Sequence, residues 1–100
     1  MLTNDDIIKY QEDGFVIPNF KMCEKDLLEI ENKHNKLINK FPDYKNYCPA
    51  LFLKDESFLK YCLNEKILKF VEQLIGKNFA LWNSSFFAKP AFHGFETPWH

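Results

Sequence analysis

Apolar positions in this chain recur at helical spacing up to about residue 76 and alternate after it. In LTNDDIIKYQEDGF, Ile7, Ile8 and Tyr10 give a short apolar face. Thr3 can cap that helix, with Asp6 three residues on completing a capping-box pattern. Asp5 and Asp6 suit a helix N-terminus, and Gly14 is placed to take the left-handed position after the last turn. FVIP then predicts a short strand stopped by Pro18. From Glu24 to Lys40, the residues Leu27, Leu28, Ile30, His34, Leu37 and Ile38 recur three and four apart, with Phe41 just beyond, which predicts an amphipathic helix. His34 has no partner at helical spacing, so it reads as a packed histidine rather than a metal ligand. FPDYKNYCPALF, with Pro42 and Pro49, predicts a loop, and KDESFLKYCL a short helix. A stronger helix follows: Asn64 caps it, Ile67, Leu68, Val71, Leu74 and Ile75 form its buried face, and Gly76 ends it.

NFALWNSSFFAKP predicts a strand terminated by Pro90. A period of two puts Leu81, Asn83, Ser85, Phe87 and Lys89 on one side, and Trp82, Ser84, Phe86 and Ala88 on the other. The second set is bulky and apolar apart from Ser84, while the first mixes polar and apolar groups. Such a mixed face suits a ligand-lined cavity or the exposed side of an antiparallel sheet, and the pattern alone does not separate the two. After the loop PAFHGFETP, Pro98 favours a new extended element at Trp99 and His100. Helices first and strands after predict an α+β fold with helices outside a sheet.

Composition narrows the function classes. One hundred residues make one domain or part of a larger one. An apolar fraction of 46% excludes a disordered chain, and 11 phenylalanines demand aromatic surfaces that something must cover. A formal charge of −1 gives no electrostatic footprint for nucleic acid. All 13 basic residues are lysine, so the chain offers no planar guanidinium clamp for a carboxylate or phosphate. Cys23, Cys48 and Cys62 form no C-x-x-C, which predicts reduced thiols and a cytoplasmic setting. The acidic N-terminus predicts no signal peptide, and no apolar run predicts a membrane segment.

Two stretches carry a family resemblance. LTNDDIIKYQEDGFVIPNF resembles the opening of the phytanoyl-CoA dioxygenase-like family, whose members commonly begin with a helix running into DGF-V-I/V. LWNSSFFAKPAFHGFETPWH resembles the part of that family where a strand ending in Lys-Pro leads through a glycine-containing loop to Trp-His. The loop length is similar to that of ectoine-hydroxylase-like members, and VEQLIGKNFALW fits the helix that ends at glycine and feeds the strand. The resemblance runs essentially end to end. It implies an Fe(II)- and 2-oxoglutarate-dependent dioxygenase that hydroxylates a small organic substrate with molecular oxygen. The implied fold is a double-stranded β-helix, a jelly-roll or cupin-like barrel. Residues of about 1–76 would be its helical region and about 78–100 its first strands, all within one domain.

The family holds iron on two histidines and one carboxylate, with open positions for cosubstrate and oxygen. Its first two ligands form a His-x-Asp pair, whose side chains share one side of a strand. By the resemblance, His100 is the first metal ligand, Ser85 and Phe87 are the 2-oxoglutarate-binding positions, and Asn83 is a substrate contact. The aspartate, the second histidine and the basic anchor for 2-oxoglutarate have no counterpart among residues 1–100. The expectation is therefore a barrel truncated at its first ligand, inactive in this form. His93 and Glu96 also mimic a ligand set with His100, but a loop bounded by glycine and proline gives them no regular alignment. Lys89 reads as a solvent-exposed strand end ahead of a cation for an anionic substrate. The competing functional class is a non-catalytic β-helix binding protein that has lost the metal. The residue type two positions after His100 discriminates between them. Substrate and oligomeric state are not encoded in these residues.

Overall fold

Thr3 starts the first helix as its sequence dictates. In a computed structural model that describes residues 1–99, the Thr3 hydroxyl accepts the Asp6 amide at 3.2 Å, and the Asp6 carboxylate accepts the Thr3 amide at 2.8 Å. The Thr3 amide and then the Thr3 hydroxyl, which also donates to that carboxylate at 2.8 Å, hold the Asp6 carboxyl below its usual range. The resulting stabilisation is complete above the unfolded carboxyl's pKa and is lost as pH falls through the folded one. Helix α1 (Asn4–Asp13) ends at Gly14, whose φ of 80° is the left-handed cap that a side chain would strain.

Among the described residues the chain is an α+β protein, with five α-helices and a two-stranded antiparallel sheet. Helix α2 (Glu24–Lys40), strand β1 (Tyr47–Cys48), and the short helices α3 (Leu51–Lys54) and α4 (Leu59–Cys62) follow in order, then α5 (Glu65–Ile75) and strand β2 (Phe86–Phe87). Single 3-10 turns occupy Pro42–Tyr44 and Glu56–Phe58. No described helix is long and apolar enough to cross a membrane.

The chain divides into two compact units. The first combines Met1–Lys21 with Leu59–Trp82. In it the Leu2 amide donates to Gln73 Oε1 at 2.9 Å, and Gln73 Nε2 donates to the Leu2 carbonyl at 3.0 Å. This reciprocal pair ties the N-terminus to α5 and buries Leu2. Phe20 meets Phe70 edge to face at 5.9 Å between centroids, an arrangement their quadrupoles favour. Asn64 Oδ1 accepts the amides of Lys66 and Ile67, two of the four donors a helix start leaves orphaned. Asn64→Ala should therefore cost about 1 kcal/mol, read as a lower thermal midpoint. The apolar stripe of α5 is shallower than its pattern predicts. Ile67, Leu68, Val71 and Leu74 are half-buried and Ile75 is exposed, because Ile75 stands at the last position before the Gly76 break.

The second unit runs from Met22 to Phe58 and resumes at Asn83. Its core is Leu37, Cys48, Leu51 and Phe58, all buried. Strand β2 pairs with β1 in the register Tyr47↔Phe87 and Cys48↔Phe86. Two flanking bonds lengthen the ribbon: the Ala88 amide to the Asn46 carbonyl at 3.0 Å, and the Leu51 amide to the Ser84 carbonyl at 2.9 Å. Phe86 turns inward, 5.5 Å from Phe58 and 4.7 Å from the His34 ring between centroids.

Three sequence expectations change. FVIP forms no strand: nothing pairs with it, and Phe15 and Ile17 are exposed. The strand predicted across residues 78–89 is formed only at Phe86–Phe87, since a strand extends no further than its partner and β1 is two residues long. The predicted loop at 41–52 contains that partner, together with a 3-10 turn and the start of α3.

Candidate functional site

The outer side of the β1–β2 ribbon carries two aromatic rings. Tyr47 and Phe87 occupy directly paired positions, and their centroids lie 4.5 Å apart. Beyond β2 the chain reverses, with the His93 amide donating to the Pro90 carbonyl at 3.3 Å and Phe92 in left-handed conformation at φ 64°. Gly94 lets this loop return closely, because a Cβ there would stand 3.1 Å from Lys89 Cβ. The returning segment flanks the ribbon. Together they form an open, mostly apolar groove of about 220 Å³, lined by Tyr47, Phe87, Lys89, Phe95, Glu96 and Thr97 among others. One cation and one carboxylate at an aromatic wall suit a small amphipathic ligand.

The predicted site residues have different fates. Phe87 lines this groove and is exposed. Ser85 is half-buried. Asn83 acts on the backbone: its Oδ1 accepts the Ala50 amide at 3.2 Å. Ala50 holds a left-handed conformation at φ 48° just before α3, which a non-glycine residue adopts at a cost of about 1–2 kcal/mol. The Asn83 side chain and the Ser84 carbonyl thus satisfy two consecutive amides at the α3 start. His100 lies outside the described residues. The period-two division of faces holds from Phe86 to Lys89, where Phe86 and Ala88 are half-buried and Phe87 and Lys89 exposed. It fails at Trp82, which is 93% exposed.

Tyr47 is the site residue that sequence reading missed. Its signal is faint: an aromatic residue and Cys48 just before Pro49, which biases the preceding backbone toward extended conformations.

Several side chains are ruled out as reactive groups. Cys48 is fully buried, and burial pushes its thiol pKa up against a smaller opposing effect of Lys54, so it is no nucleophile at neutral pH. His34 packs as its spacing predicts, on Phe86, with Nε2 buried. Among the described residues no group of three or more His, Cys, Asp or Glu could hold a metal ion. They do not by themselves make the donor set that the resemblance implies. No protein-family model, curated protein or solved structure matches the chain.

Proposed function

We propose that residues 1–100 are the N-terminal part of a cytoplasmic Fe(II)- and 2-oxoglutarate-dependent dioxygenase on a double-stranded β-helix. On this reading β1 and β2 belong to the first turn of the barrel, and the remaining ligands follow His100. One observation carries it. Phe87, which the resemblance gives to the cosubstrate, lines the same groove as Thr97 and Pro98, the residues leading to Trp99 and His100. The strand that the resemblance gives to the cosubstrate and the loop that leads to its first metal ligand border one groove, which supports the reading.

The roles of this chain's own residues follow. Iron with 2-oxoglutarate, when bound, supplies the oxidising chemistry for hydroxylating a C–H bond of a small organic substrate. His100 offers an imidazole nitrogen as ligand. Tyr47 and Phe87 wall one side of the groove with apolar surface. The Ser85 hydroxyl serves a carboxylate as hydrogen-bond donor. Asn83, by fixing the backbone at Ala50, positions the strand and is left less able to touch substrate. A metal-free binding protein on the same fold is the second reading; the exposed rings of the groove suit it equally well.

The two readings part at the codons after His100: aspartate or glutamate two residues on supports the oxygenase, and an apolar residue the binder. A functional test uses the protein translated from the complete reading frame. Ser85→Ala should raise the KM for 2-oxoglutarate at least about tenfold, since a lost hydrogen bond to a charged group costs about 1.5–3 kcal/mol. The thermal midpoint should stay where it is. Trp82→Ser should move neither quantity, because that ring is exposed. An unchanged KM in Ser85→Ala would remove the cosubstrate role from Ser85.

A further inference from the structure

A second groove in the Met22–Phe58 unit has a different chemistry. It is open, about 270 Å³ in volume, and lined by Lys33, Lys36, Lys40, Lys54 and Asp55 above the buried Leu37. Four lysines and one aspartate line it, and with the Glu29 carboxylate that pairs with Lys33 the formal balance is +2, in a chain whose formal charge is −1. The lysines are not an arbitrary scatter. Lys33, Lys36 and Lys40 share one face of α2, and Lys36 and Lys40 stand four residues apart, a like-charge spacing that destabilises a helix. Glu29 pairs with Lys33 at 3.6 Å, and Lys33 Nζ also donates to Ser57 Oγ.

Aromatic rings station three of the ammonium groups. Lys33 lies 5.4 Å from the Phe58 centroid, Lys40 5.3 Å from Phe41, and Lys54 5.0 Å from Tyr44. A Tyr44 hydrogen bond also favours the charged form of Lys54. The Ser57 hydroxyl and then its amide donate to Asp55, and with the nearby charge of Lys33 they hold its carboxyl below the usual range. A blander account covers part of this. Lys40 and Lys54 stand in the last turns of α2 and α3, where a cation offsets the helix dipole. It does not cover Lys36, nor the repulsion between Lys36 and Lys40.

We propose that this groove binds a small ligand carrying two or more phosphate groups. Lysine ammonium groups bind phosphate as compact point charges, and several of them around one groove suit a ligand that concentrates several negative charges, as two or more phosphate groups do. The volume fits a small polyanion and not a duplex, and the overall charge gives no pull toward nucleic acid. The shared chemistry has two sources, a free polyphosphorylated metabolite or a lipid headgroup. The inference stands apart from the oxygenase reading, because it uses none of the same residues.

The test titrates the chain with tripolyphosphate at low and at physiological salt, following backbone amide shifts. Saturable shifts confined to α2, α3 and the turn after α2, weakening with salt, are expected. Lys36→Glu with Lys40→Glu should weaken binding at least about tenfold, because two attractions become repulsions. Lys36→Gln with Lys40→Gln serves if the charge reversal disturbs α2. Lys66→Glu with Lys69→Glu on α5 makes the same change in net charge and should leave most of the affinity. Cosedimentation with phosphatidylcholine vesicles containing a bisphosphorylated inositol lipid, and not with phosphatidylcholine alone, assigns the headgroup. Tripolyphosphate binding without cosedimentation assigns a free metabolite. Absence of saturable shifts, or equal weakening by the α5 pair, would overturn the proposal. Tighter binding of a single-stranded oligonucleotide than of tripolyphosphate would overturn the small-ligand class.

Discussion

Phe58→Ala should cost about 3–5 kcal/mol, a large share of the roughly 5–15 kcal/mol that holds a typical domain together. Phe58 is 2% exposed, its ring meets Phe86 at 5.5 Å, and Lys33 lies over it. Removing it opens a cavity beside the inward face of β2 and takes the support from under that lysine. Phe58→Leu keeps part of the volume and should lose distinctly less. Urea unfolding followed by the amides of His34, Leu51 and Phe86 reads both effects. A midpoint unmoved by Phe58→Ala would mean that β2 is not held from this side.

Local signals made the helices legible. Thr3 with Asp6, Asn64 before α5, and glycines 14 and 76 mark ends that depend on residues three or four apart, and each is formed as written. The strands were less so. Whether 78–89 is a strand depends on what lies alongside, and the partner is Tyr47–Cys48, nearly forty positions earlier in a segment whose prolines predict a loop. Trp82 shows the same limit. A period-two pattern assigns it a face only where the backbone is paired, and pairing begins at Phe86.

For the site, the sequence put Phe87 on a mixed face that suits either a ligand-lined cavity or the exposed side of a sheet, and in the structure its exposed ring lines an open groove. It did not reveal that Asn83 would cap α3 through Ala50, because that requires knowing which amide α3 leaves open. Tyr47 was hidden for the same reason as its strand. The lysines of the second groove are plain in the sequence as solvated helix positions. Their grouping with Lys54 and Asp55 needs the fold.

The largest functional effect is expected at His100. If its imidazole is one of three ligands, His100→Ala in the protein from the complete reading frame should reduce iron occupancy and abolish 2-oxoglutarate turnover. The α-helices should stay folded, since the starts of α1 and α5 are capped by Thr3, Asp6 and Asn64. Circular dichroism separates that outcome from unfolding. The measurement that tests the central claim is anaerobic Fe(II) titration of wild-type and His100→Ala protein side by side, followed by succinate release on adding 2-oxoglutarate and oxygen. One iron per chain and succinate production in wild type, with both lost in the variant, is the predicted result. Succinate released at the wild-type rate by a folded His100→Ala protein would contradict it.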